Sequence, residues 1–143
     1  NCPAMGIDWF SAREYCHWAG KRLPTEAEWE LAARGSSGNP WPWGNEFLPK
    51  HANLGGDEDG HALAAPVGSF PQGASPYGVL DMVGNVWEWV DNPIGKEADP
   101  KKSLRIVKGG GWTTPTPAIP FRGTADPATK NPVFGFRCGK SLN

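Results

Sequence analysis

The chain has 143 residues, 38% hydrophobic and 20% charged, with a formal net charge of −1. That length suits one domain with a modest core. The near-neutral balance, without any long Lys/Arg run, excludes an electrostatic nucleic-acid binder. Nineteen Gly and fifteen Pro push the composition toward disorder, but eight Trp and six Phe oppose it, because disordered chains are poor in aromatics. The expectation is an ordered, loop-dominated single domain over 1–143, with tryptophan supplying much of the core. No apolar stretch approaches the ~18 residues of a membrane span, and Asn1–Gly6 has no signal-peptide character.

Two segments read as helices. Asp8 can cap the first, in which Ala12, Tyr15, Cys16 and Ala19 recur at helical spacing and Gly20 follows as a stop. The second opens on Thr25-Glu26-Ala27-Glu28, a capping box, carries Trp29, Ala32 and Ala33 as its apolar stripe, and ends at Gly35. From Ser36 to Ser75 the chain reads as loop, with a short strand expected at Ala65–Phe70. Val86–Val90 and Arg105–Lys108 alternate with period two and read as strands, and Phe134–Cys138 as a last one. Pro93–Ser103 reads as a surface excursion and Gly123–Val133 as a loop. The fold class is therefore α+β: two helices beside short, mostly antiparallel strands.

The cysteines are Cys2, Cys16 and Cys138, and their spacing fits neither a zinc site nor a redox CxxC motif. The odd count leaves one thiol over if two pair. The three histidines, His17, His51 and His61, are scattered, and His17 reads as a surface or packing residue.

Five blocks stand in a fixed order: AGKRLPTEAEWE (Ala19–Glu30), WPWGNE (Trp41–Glu46), APVGSFPQGASPYGVLDMVGNVWEW (Ala65–Trp89), KGGGW (Lys108–Trp112) and GFRC (Gly135–Cys138). Together they resemble the formylglycine-generating-enzyme (sulfatase-modifying factor) family across nearly the whole chain. The resemblance implies a loop-rich fold that is partly C-type-lectin-like. It also implies that the family's strand-rich N-terminal portion is absent from this chain, and is either cleaved or supplied by another chain.

Two oxygen-rich clusters are candidate calcium ligands, since calcium takes six to eight oxygens from carboxylates, amides and backbone carbonyls. By residue type alone, each is more often a solvated turn. The resemblance assigns one ion to Asn53, the Leu54 carbonyl, Asp59 and the His61 carbonyl. It assigns a second to Asp81, the carbonyls of Gly84 and Val86, and Glu88. Both ions would be structural, and Trp87 and Trp89 would pack around the second. The resemblance also implies a Cys16–Cys138 disulfide, and with it a periplasmic, cell-surface or extracellular location. Cys2 has no counterpart.

The family's enzyme uses two cysteines that bind copper(I), an ion suited to soft thiolates. They lie between the Gly-Gly-rich block and an arginine matching Arg122. Here that stretch is Thr113-Thr114-Pro115-Thr116-Pro117-Ala118-Ile119-Pro120, shorter and without cysteine, histidine or carboxylate. No catalytic residue is assigned, and neither copper nor iron is expected. The first reading is a non-catalytic, calcium-stabilised binding or assembly module with a protein partner. Its contact surface would comprise Thr113, Thr114, Thr116, Ile119, Phe121 and Arg122, stiffened by prolines toward polyproline-like geometry. The alternatives are an enzyme completed by a missing segment, and a hypervariable ligand-binding protein.

Overall fold

A computed structural model describes residues 1–94, 99 and 101–142. Two α-helices, α1 (Trp9–Trp18) and α2 (Glu26–Arg34), are followed by two single-turn 3-10 helices and by strands β1 (Trp87–Pro93), β2 (Arg105–Lys108), β3 (Arg122–Ala125) and β4 (Phe134–Phe136). They form one sheet in the order β3-β2-β1-β4. Among the described residues no helix is long and apolar enough to cross a membrane.

The local signals operate where expected. The Asp8 carboxylate accepts the Ser11 N–H at 2.7 Å and starts α1, and Gly20 follows the helix at φ 69°. Trp9, Ala12 and Cys16 are the buried face of α1, whereas Tyr15 is 54% exposed. Both halves of the capping box of α2 are present. Glu28 N–H donates to Thr25 Oγ1 at 3.2 Å, and Thr25 N–H donates to the Glu28 carboxylate at 2.8 Å.

Arg22 closes on the same carboxylate with two bonds of 2.7 and 2.8 Å. This guanidinium, followed by the Thr25 N–H, holds Glu28 down at about 2, against an ordinary value of 4.5. A depressed carboxylate stabilises the fold above its unfolded value and loses that contribution as pH falls toward the folded value. Glu28→Gln is therefore expected to flatten the stability profile between about pH 4.5 and 2. The side chain is 46% exposed, so solvent screening limits the amplitude to under ~1 kcal/mol. Urea titrations at a series of pH values measure it, and an unchanged acid limb refutes it.

Four elements differ from expectation. The sheet is mostly antiparallel, as expected, through β1–β2 and β2–β3, and the one departure is that β4 runs parallel to β1. The expected strand at Ala65–Phe70 is irregular. Pro66 offers no N–H, Gly68 sits at φ 79°, and the N–H groups of Ala65 and Gly68 donate to the Asn85 and Asp81 side chains rather than to a neighbouring strand. Part of the expected loop Gly123–Val133 is instead β3, paired with β2 from Lys108↔Arg122 to Arg105↔Ala125. Gly123 permits this, because a Cβ there would come within 2.9 Å of Val107. The last strand ends at Phe136 rather than Cys138. The Pro93–Ser103 excursion falls partly on 95–98 and 100, outside the described residues.

The core has two parts. One gathers Trp29, Ala33, Leu54, Met82, Val83, Val90, Ile106 and Ile119 between α2 and the loops. The other packs α1 through Trp9, Ala12 and Cys16 against Trp89 and Val107. The indole N–H groups find acceptors as buried tryptophans require: Trp9 donates to Val90 O (3.0 Å) and Trp89 to Ile7 O (2.8 Å). Cys16 and Cys138 are bonded, tying α1 to the chain just beyond β4.

Candidate functional site

The loop at 53–61 and the turn at 81–88 are neighbours, and Asn85 joins them. Its N–H donates to Asn53 O at 2.8 Å. Its side-chain oxygen accepts from Asn53 Nδ2 (3.2 Å) and Ala65 N–H (2.9 Å). Its carbonyl accepts the Trp112 N–H at 2.9 Å, so both loops and the Lys108–Trp112 block converge on one buried residue. Asn85 takes φ 65°, the left-handed region that Asn tolerates better than most residues. Gly84, at φ 77°, lies so close to the Asn53 carbonyl that no Cβ fits there.

In the first candidate set, Asp59 folds its loop around itself. One carboxylate oxygen accepts the Leu54 N–H (2.6 Å) and the other the His61 N–H (2.8 Å). Asn53 is 1% exposed, its NH2 group donates to Leu63 O, and its Oδ1 has no hydrogen-bond partner among the described residues. An unpaired buried amide oxygen is costly, and an oxygen-seeking cation would satisfy it. The donor chemistry of this set therefore fits calcium. The His61 ring packs edge-on to Phe70, which leaves its backbone carbonyl as the group to consider.

In the second set, Asp81, Val86 and Glu88 border one cavity of about 520 Å3. Glu88 is 5% exposed and already holds three donors: Arg137 Nε and Trp29 Nε1 on Oε2, and Arg137 Nη2 on Oε1, each at 2.7 Å. An ionised carboxylate offers about four lone-pair sites, so Glu88 has room for one more ligand bond, on Oε1. Arg137 also donates to Leu80 O (3.1 Å) and Asp81 O (3.2 Å). Burial works against its charge, but the adjoining Glu88 carboxylate outweighs this and raises the guanidinium above its ordinary value. A cation in this set would thus share Glu88 with an arginine. Trp89 packs in the core and Trp87 lies against Phe121. Among the described residues no three His, Cys, Asp or Glu side chains gather into a metal-holding group, so either set depends on amide and backbone oxygens.

The segment 113–120 is a pinned pair of turns rather than an extended polyproline stretch. Thr114 N–H returns to Gly111 O and Phe121 N–H to Ala118 O, each at 2.9 Å. The Ile119 N–H donates to Pro40 O, and Trp41 Nε1 to Pro117 O. Ile119, expected on the contact surface, is fully buried in the core, because Pro117 and Ile119 turn inward between exposed neighbours. Thr113, Thr116 and Phe121 remain exposed, and Thr114 is half-buried with its hydroxyl accepting the Gly111 N–H. Arg122 is exposed but held by Glu26 at 2.8 Å. Glu26 in turn reaches Lys108 at 3.4 Å, a fully buried lysine bonded to Glu30 at 2.8 Å.

Asn85 and Arg137 are the residues that sequence reasoning missed. Both lay inside quoted blocks. What hid them is that their partners, Asn53, Ala65 and Glu88, stand 20 to 49 residues away in the chain.

A family defined by the sulfatase-modifying factor enzyme 1-like domain matches residues 1–142. An inactive C-alpha-formylglycine-generating enzyme 2 from Bos taurus is 42% identical over 95% of this chain and 49% of its own length. The chain thus spans about half the length of such relatives. Among solved structures, PvdO from Pseudomonas aeruginosa superposes with a TM-score of 0.87 at 32% identity, over 99% of this chain and 62% of that one. The M1 variant of the Major Tropism Determinant shares the fold alone, at a TM-score of 0.65 and 18% identity over 92% of this chain and 36% of that one. The expected C-type-lectin-like arrangement is the observed one. With its five blocks in place and the match running from end to end, the chain belongs to the sulfatase-modifying factor (formylglycine-generating enzyme) family.

Proposed function

We propose that this chain is a non-catalytic binding module of the family, stabilised by calcium and working in an extracytoplasmic assembly. The observation that carries the reading is the segment between Gly111 and Arg122. It offers no thiol, imidazole or carboxylate, and its backbone is stapled to Pro40 and Trp41. Cys16 and Cys138 are spent on one another, which leaves the sequence one further thiol, Cys2, bordering both the cavity of Glu88 and Arg137 and one shared with Trp112. No pair of thiolates remains to hold a soft metal ion at that segment. A relative whose name declares it inactive supports the same reading. The disulfide supports an oxidising compartment.

Calcium is supported at the first set by the partnerless Asn53 Oδ1, and at the second by the cavity that Asp81, Val86 and Glu88 share. An ion that binds only the folded state stabilises it by mass action, about 2.7 kcal/mol at a hundredfold excess over Kd. Calcium at that excess is therefore expected to raise the unfolding midpoint by several degrees over the EDTA-treated protein. Asn53→Ala removes most of the gain if the first set is used. Equal midpoints with and without calcium sink the proposal.

The binding face comprises Thr113, Thr116 and Phe121, exposed on turns that lose little freedom on binding. Selection of ligands from a displayed random-peptide library, followed by capture on a Thr113→Ala, Thr116→Ala, Phe121→Ala variant, tests it. Unchanged capture removes this face. Incubation with copper(I) and a cysteine peptide is expected to give no formylglycine, and turnover would restore the enzymatic reading.

A further inference from the structure

We propose that the groove between Phe47 and Pro49 on one side and Pro115 on the other accepts a lysine or arginine side chain of a polypeptide partner. The proposal rests on the binding-face reading above, since Pro115 belongs to the same segment. The groove encloses about 530 Å3. Phe47, Pro49, Leu54 and Pro115 line it together with the carboxylate-bearing run Asp57-Glu58-Asp59. A long cationic side chain matches that lining in both respects: an apolar stem for the rings and leucine, and a charged head for the carboxylates.

The backbone sets the spacing of the walls. Gly55 N–H donates to Thr114 O at 3.0 Å, and a Cβ on Gly55 would come within 2.9 Å of Thr113 O. The acidic loop is therefore attached directly to the binding segment.

The carboxylates divide into two roles. Asp59 is committed to the N–H groups of Leu54 and His61. Asp57 and Glu58 are exposed, and among the described residues no salt bridge reaches either. Their charge is available to a partner. Among the described residues no three acidic, histidine or cysteine side chains gather into a metal-holding group. An ammonium or guanidinium head needs no such convergence, because it can meet two carboxylates one after the other. Charge complementarity and the apolar walls thus fit an organic cation on a stem.

The test is an amide-shift titration of the calcium-saturated protein with the capped peptide Ala-Lys-Ala. Its norleucine and glutamate analogues keep the length and change the charge. The lysine peptide is expected to move the Gly55, Gly56 and Glu58 amides, and both analogues to move them at least fivefold less. Asp57→Asn with Glu58→Gln, both exposed and so neutral for folding, is expected to weaken lysine binding about five- to tenfold. Equal binding of the norleucine peptide, shifts that map elsewhere, or no shifts at all overturn the proposal. So does binding seen in EDTA but abolished by calcium, which would assign the acidic edge to the ion. Library-selected peptides separate this idea from its parent. Loss of capture with the triple alanine variant but not with the Asp57/Glu58 variant keeps the face and removes the groove, and the reverse pattern keeps the groove and removes the face.

Discussion

Replacing Cys16 and Cys138 together by serine is expected to lower the free energy of unfolding by about 4–5 kcal/mol. The bond joins residues 122 apart in sequence, and in the chain-entropy account a loop of roughly that length is worth about 5 kcal/mol. A domain of ordinary stability has ~5–15 kcal/mol in total, so the loss is a large share of the whole. Cys16 is fully buried on α1 and Cys138 follows β4, so the loss falls on the packing of α1 against Trp89 and Val107. Guanidinium denaturation of the two proteins measures it. The wild-type protein under reducing conditions should behave like the variant. A difference below about 1 kcal/mol would show that the packing of α1 holds without the bridge.

Arg137→Gln is expected to cost about 3–5 kcal/mol, because it leaves the Glu88 carboxylate buried without its cation. Glu88 keeps only the Trp29 N–H, and the carbonyls of Leu80 and Asp81 lose the donor they share. The Glu88 side chain is 7% exposed and that of Arg137 28%, so water rescues the arginine end more than the carboxylate end. Glu88→Gln alone should therefore be milder, and the double variant milder than the sum of the two. A double-mutant cycle by urea denaturation tests this. Additive losses would mean that the two side chains stabilise separately and that the pair is incidental to the fold.

Asp81, Gly84 and Val86 lie in the same turn as Asn85, so Arg137 acts on the second candidate ligand set as well as on the core. If that set takes an ion, Arg137→Gln also alters the calcium response, and Asn53→Ala separates the two effects. Asn53 is hydrogen-bonded to Asn85, whereas the Glu88 carboxylate takes its bonds from Trp29 and Arg137.

How far each element could be read follows from the range of its interactions. Thr25 and Glu28 are three residues apart, and each holds the other's N–H, so the start of α2 was legible from four letters. The Asp8 cap was legible for the same reason. Tyr15 on the expected apolar stripe shows the limit: helical spacing placed it on the inner face, where its ring meets Phe136 of β4, but it stays 54% exposed at the rim while Trp9, Ala12 and Cys16 are buried. Ile119 shows the opposite error. A run of Thr and Pro reads as surface, yet the N–H bond to Pro40 turns one apolar residue of the run into the core.

The sequence by itself determined the family, the two capped helices and the absence of thiol ligands from the segment before Arg122, because each is written in adjacent residues. Tertiary structure decided the parallel docking of β4 on β1, the pairing of Arg137 with Glu88, the gathering of two loops on Asn85 and the groove beside Asp57 and Glu58. These depend on contacts between residues distant in the chain. Backbone and side-chain donors there choose among several acceptors, and only the packing of the whole domain brings the chosen one within reach.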